Sequence, residues 1–177
     1  MHPDDLASPE EEIERYETHN NDINDPGYRK FVSPLVKEIA LRHHADDKGL
    51  DFGAGTGPVI THMLKQQQYN IKAWDPYFLP DDELLEDTYD YIVACEVVEH
   101  FHEPSKEFSR LKKMLNPYGT LLIKTDLWMD DQPFEDWYYK NDETHSFFYH
   151  PETFQWIREA YDFRDLVIDN RVVLLIN

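Results

Sequence analysis

The stretch LDFGAGTGP, Leu50 to Pro58, decides how this chain is read. A short apolar segment, residues 48–53, ends in it and predicts a buried strand. A helical pattern, residues 58–68, leaves it, with Pro58 suited to a first helical position. Glycines at 53, 55 and 57 let the backbone turn tightly and approach a ligand with no Cβ in the way. They deliver that ligand to the positive end of the following helix. The spacing is G-x-G-x-G rather than the G-x-G-x-x-G of dinucleotide sites. No G-K-[ST] follows, so a nucleoside-triphosphate loop is excluded.

Asp51 stands just before the turn. A carboxylate there would repel a pyrophosphate, but it can accept hydrogen bonds from an ammonium group, directly or through water. The next strand, residues 69–75, ends in AWDP, which places Asp75 24 positions after Asp51. A carboxylate at a strand end can accept both hydroxyls of a ribose that carries no 2′-phosphate. One acidic residue for an amino-acid head, another for a ribose, and no phosphate grip between them fit S-adenosylmethionine. Its sulfonium carries an electrophilic methyl, so the protein must align a nucleophile and remove a proton where one is lost.

Outward from the turn, residues 1–12 are acidic and contain two prolines, and are read as frayed. A short helix is predicted over 11–18, a loop over 19–28 and a helix over 28–44, with Pro34 either kinking it or marking its first turn. Beyond Asp75 comes a connection with one helical turn, then the strongest strand pattern, residues 89–98. A helix over 103–115, an NPYG turn at 116–119 and a strand over 120–128 follow. Residues 129–145 form a long polar-aromatic loop. A helix over 151–161 and two strands, 163–170 and 171–177, close the chain. Alternating strands and helices predict an α/β fold, a doubly wound, mostly parallel sheet with a C-terminal antiparallel strand pair. The division expected is an N-terminal acidic segment and loop, 1–26, and one domain, 27–177.

The totals bound the function. The 177 residues suit one domain, and aromatics make up 14% of them, which is a globular composition. The single cysteine, Cys95, excludes a disulfide framework or a multi-cysteine metal site. The net charge of −19 opposes phosphate backbones and anionic lipid, so a small-molecule partner is favoured, with no nucleic acid and no membrane. The acidic start, MHPDDLASPEEE, does not have the form of a signal peptide, and a cytoplasmic protein is expected.

Several blocks together resemble class I S-adenosylmethionine-dependent methyltransferases, in particular the small-molecule branch that includes the ubiquinone-pathway O-methyltransferases. LDFGAGTGP looks like their cofactor loop and WDP like their acidic ribose site. YDYIVACEVVEHFHEP resembles the segment running through the fourth strand into Glu-Val-x-Glu-His. LNPYGTLLI is similar to the Leu-x-Pro-Gly-Gly turn, with Tyr118 in place of a glycine. HSFFYHPETFQWIREAYDF resembles a helix of the same branch. The resemblance implies a Rossmann-like fold with the cofactor at the carboxyl ends of the strands. The chain between AWDP and YDYIVACE is too short for the usual extra strand and helix, so a sheet trimmed at the edge beyond the second strand is expected.

On this reading Asp51, Gly53, Ala54, Gly55, Gly57, Asp75 and Pro76 bind the cofactor, and Cys95, Glu96 and Val97 flank its sulfonium. In the related ubiquinone-pathway enzymes the segment matching EVVEH is thought to hold a divalent metal. For Glu96, Glu99 and His100 three roles stay open: a metal, a general base at His100, or pinning of the loop. No metal ligand is assigned. His145 and Tyr149 join His100 as catalytic candidates beside an acceptor pocket walled by Phe147 and Phe148. Tyr16, His19 and Asn20 are read as folding over the cofactor, and the WYYKNDETH loop as a lid or oligomer contact. The expected reaction is in-line methyl transfer to a small molecule, with a homodimer contact able to complete the pocket. Two alternatives stay open. One is a protein that binds S-adenosylmethionine or S-adenosylhomocysteine without turnover. The other, disfavoured by the glycine spacing, is an NAD-binding oxidoreductase.

Overall fold

The computed structural model describes residues 6–18 and 21–177. His19 and Asn20 therefore lie outside the described residues. Helix α1, Pro9–Glu17, begins earlier than its composition suggests, because Ser8 and Glu11 form a reciprocal capping box. Ser8 Oγ accepts from the Glu11 amide at 3.3 Å, and the Glu11 carboxylate accepts from the Ser8 amide at 2.8 Å. Residues 9–12, expected to fray, are thus the first turn of a helix.

Helix α2, Pro26–Arg42, is capped by Asp25, whose side chain accepts from the Gly27 amide at 2.7 Å. Pro34 neither starts nor ends it. A proline there leaves the Lys30 carbonyl without its helical donor. The Ser33 hydroxyl donates to that carbonyl at 2.8 Å instead.

Strands β1 (Gly49–Phe52), β2 (Ile71–Trp74), β3 (Tyr89–Cys95), β4 (Leu115–Lys124), β5 (Asp165–Asp169) and β6 (Val172–Ile176) form one sheet in the order β2-β1-β3-β4-β6-β5. The first four are parallel, and β6 runs antiparallel to both β4 and β5. The expected fold class holds, including the trimmed edge: β2 is the outermost strand on its side. The NPYG stretch is not a free turn. It sits inside β4 as an irregularity, where pairing moves from Tyr89–Leu115 to Tyr91–Thr120 and Tyr118 adopts a φ of 67°. Strand β3 is shorter than its apolar run, because Glu96 leaves extended geometry at a φ of 53° and Val98–His100 form a 3₁₀ turn.

Alternation along the strands sorts side chains to the two faces. Tyr91, Val93, Leu122, Val172 and Leu174 pack under α2 and α3 (Val59–Gln66). Leu50, Phe52, Ile92, Ala94, Leu121, Ile123, Val173 and Leu175 pack under α4 (Pro104–Lys113) and α5 (Pro151–Ala160). Strand order reverses between β1 and β3, the crevice in which open α/β sheets bind ligands. Among the described residues no helix is long and apolar enough to cross a membrane.

Candidate active site

A cleft of about 760 Å³ opens at the carboxyl ends of β1, β2 and β3. Its floor is the glycine turn. Gly53 holds a φ of 75°, and a Cβ there would lie 2.6 Å from Val97 Cγ2, so no larger residue fits between the two loops. Gly57 faces the lead-in chain: a Cβ would fall 1.8 Å from the Asn21 carbonyl oxygen. That contact lets the N-terminal segment cross directly over the turn.

Asp75 ties β2 to the floor. One of its oxygens accepts from the Gly55 amide at 2.8 Å, and the other from the amides of Tyr77 and Phe78 at 2.9 and 3.0 Å. Asp51 is buried beside the cleft rather than in its wall. Its carboxylate accepts from the Thr61 amide and hydroxyl at 3.2 and 2.8 Å, which anchors the start of α3. Burial pushes its pKa up to about 6, against the pull of the two Thr61 hydrogen bonds.

The far end of the cleft carries the polar chemistry. The His100 Nδ1 lies 3.0 Å from the Thr144 carbonyl oxygen, and the His145 Nδ1 lies 2.7 Å from that of Tyr139. A carbonyl only accepts, so each Nδ1 carries the hydrogen. The two rings stand edge to face with centroids 4.8 Å apart. Burial, reinforced by the neighbouring His100, lowers His145 to about 4.

Glu96 accepts from Arg171 at 3.1 and 3.2 Å, and Glu99 from the Thr125 hydroxyl at 3.0 Å. The Tyr139 hydroxyl reaches both carboxyl groups, at 3.0 Å from Glu96 and closer still to Glu99. Burial raises the pKa of both, and the Glu99 charge raises Glu96 further. Burial likewise pushes the Cys95 thiol well up, which makes it a packing group rather than a nucleophile.

Helix α1 roofs the cleft. The buried Glu12 accepts from the Tyr77 hydroxyl at 2.5 Å and pairs with His102 Nε2 at 2.9 Å. Tyr16 packs edge-on against His100 with ring centroids 5.2 Å apart. Arg15 reaches across to Asp142 at 2.6 Å.

The cleft brings together Gly53, Ala54, Gly55, Asp75, Pro76, Cys95, Glu96, Val97, His100 and His145. It does not bring in Asp51, Gly57 or Tyr149. Tyr149 is buried in the core, with its hydroxyl donating to the Val98 carbonyl at 2.9 Å, so a catalytic role for it has no geometric basis. Glu12 and Tyr139 were missed. The Ser8–Glu11 capping signature marks the helix that carries Glu12, but nothing local singles out Tyr139 within its loop.

Among the described residues, Glu99, His100 and His145 each present one atom within 4.8 Å of the others, the spacing of a group that can hold a metal ion. The Glu99 oxygens also meet the hydroxyls of Thr125 and Tyr139, and Arg171 is bonded to Glu96.

Residues 26–167 match the family model described as a methyltransferase domain. The chain belongs to that family. It is a class I, S-adenosylmethionine-dependent methyltransferase. No curated protein matches its sequence. Solved structures share the fold at low identity. A SAM-dependent methyltransferase from Archaeoglobus fulgidus is 20% identical with a TM-score of 0.60, over 78% of this chain and 71% of its own. Human N-acetylserotonin methyltransferase, in complex with SAM, is 13% identical with a TM-score of 0.63, over 96% of this chain and 56% of its own. Magnesium protoporphyrin IX methyltransferase from Synechocystis, with bound SAH, is 12% identical with a TM-score of 0.56, over 94% and 93%. This methyltransferase thus spans little more than half of the human enzyme's length.

Proposed function

We propose that this methyltransferase transfers the methyl group of S-adenosylmethionine to a neutral small molecule with an ionisable O–H or N–H, phenols and quinols foremost, by in-line displacement. The observation that carries the reading is one continuous cleft. It runs from the glycine turn and Asp75 to the paired imidazoles of His100 and His145, under a helix of the same chain.

The cofactor supplies an electrophilic methyl. The chain's own residues do the rest. The turn at Gly53–Gly55 leaves room for backbone-close binding, and Asp75, with three amide donors on its two oxygens, keeps acceptor capacity for a ribose hydroxyl. Cys95–Val97 border the same space from β3. Tyr16, Tyr28, Phe31 and Tyr139 give the acceptor end aromatic walls, and His100 Nε2 is the group suited to meet an acceptor proton. Glu12 and Tyr16 from α1 exclude water from above.

The test is turnover. The protein is incubated with S-adenosylmethionine and a panel of phenols, quinols and amines, and S-adenosylhomocysteine is followed. A His100→Gln variant is expected to lower the rate on the best acceptor by about 10²-fold or more. Cofactor binding without transfer to any acceptor would favour the non-catalytic alternative.

A further inference from the structure

We propose that the Glu107–Arg110 pair of α4 selects the base of the cofactor: Glu107 accepts from the exocyclic amine of adenine, and Arg110 donates to a ring nitrogen beside it. This rests on reading the cleft as the S-adenosylmethionine site.

The order of groups in the cofactor places its base. The ribose stands between the sulfonium and the adenine. With the methyl turned to His100 and His145 and the ribose at Asp75, the base falls on the far side of Asp75. Helix α1 marks the same direction. Tyr16 packs on His100. One turn earlier, Glu12 bridges the Tyr77 hydroxyl and His102 Nε2 at 2.5 and 2.9 Å, so it roofs the base rather than the methyl.

That end of the cleft is an aromatic slot. Trp74 stacks on Phe52 with ring centroids 4.7 Å apart, and Phe101 stands edge-on to Phe52 at 6.3 Å. All three line the cleft. Such walls hold a flat ring but do not tell one base from another, because every base has a π-face. Selection needs polar groups at the ring's edge, and the trimmed sheet leaves that place to α4. The connection from β2 to β3 holds one short 3₁₀ turn, Asp82–Glu86, and no α-helix. Glu107 and Arg110, in the first two turns of α4, line the cleft.

The pair has the complementary chemistry. Arg110 Nη1 donates to Glu107 Oε2 at 2.9 Å. Among the described residues Glu107 Oε1 has no hydrogen-bond partner. One acceptor and the remaining guanidinium N–H donors therefore stand side by side. Adenine offers the matching edge: its amine donates, and a ring nitrogen next to it accepts. Hypoxanthine carries a carbonyl oxygen in place of the amine. That oxygen would face the Glu107 carboxylate with no hydrogen between them. With 18% of its side chain exposed, Glu107 is mostly out of water, where a mismatched polar contact costs most. Glu103 also lines the cleft, but its side chain is 68% exposed and accepts from Lys106 at 3.1 Å, so it serves as the comparison.

Calorimetric titration of the full chain with S-adenosylhomocysteine and with S-inosylhomocysteine, which differ only in the base, tests this. Wild type is expected to bind the adenosyl compound at least about tenfold more tightly. Glu107→Gln is expected to narrow that ratio, because an amide can turn its N–H to a carbonyl and its oxygen to an amine. Arg110→Gln is expected to weaken the adenosyl compound, and Glu103→Gln to leave the ratio as it is. Equal affinity of wild type for the two compounds overturns the proposal and leaves the cofactor reading standing. An unchanged ratio in Glu107→Gln, or the same narrowing in Glu103→Gln, overturns the assignment to Glu107. Failure of S-adenosylhomocysteine to bind wild type removes the cofactor reading and this proposal with it.

Discussion

Gly53 is fixed by its backbone and its neighbour: its φ of 75° is one that side chains rarely adopt, and a Cβ would lie 2.6 Å from Val97 Cγ2. Gly53→Ala is expected to cost about 1–3 kcal/mol in chemical denaturation and to push the β1 and β3 loops apart. Asp51 shows itself through pH. Its native pKa of about 6 lies above the ordinary 3.8, so the folded chain binds more protons than the unfolded one between those values. Its contribution is full below pH 3.8 and is lost as pH rises towards 6. His145 runs the opposite way, neutral in the fold down to about 4, so its contribution is lost as pH falls from 6.5. The melting temperature of Asp51→Asn against wild type isolates the first effect: the variant gains on wild type as pH is raised from about 4 to 6.

Among the elements, α1 and α2 are built on local rules with different outcomes. The roof contributed by α1 depends on the buried Glu12 far more than on Arg15, whose side chain is 46% exposed. Hydrogen exchange over residues 9–17 is expected to speed up clearly in Glu12→Ala and little in Arg15→Ala. In α2, Pro34→Ala returns the amide that the Lys30 carbonyl lacks. It is expected to stabilise the protein by about 1–3 kcal/mol, read as a higher melting temperature.

Both helices also show where the sequence was legible. The capping box of α1 is written in Ser8 and Glu11, yet acidic composition hid it. Pro34 hid the continuity of α2, because the compensating Ser33 bond is visible only once the backbone is placed. The strands, the glycine turn and the trimmed edge were readable because spacing and period set them. Tyr139 was not, since its carboxyl partners Glu96 and Glu99 meet it only through tertiary folding. Tyr149 misled for the mirror reason: a tyrosine beside phenylalanines looks like a pocket wall until the core claims it.

At the scale of the molecule, the reversal of strand order between β1 and β3 sets a crevice, and everything else is arranged around it. Strand β2 brings Asp75 to one side, β3 brings Glu96, the N-terminal segment supplies α1 above, and the connection between β4 and α5 supplies Tyr139 behind. The trimmed edge beyond β2 leaves residues 75–88 to close that side by themselves, with Leu84 buried as their anchor. The account stands on the cleft taking an adenosyl sulfonium rather than a phosphorylated coenzyme. Calorimetric titration with S-adenosylhomocysteine and with NAD, on wild type and on Asp75→Asn, tests that most directly. Saturable binding of S-adenosylhomocysteine, weakened about tenfold or more by the substitution, with no heat from NAD, is the expected result. Tight binding of NAD with none of S-adenosylhomocysteine would contradict it.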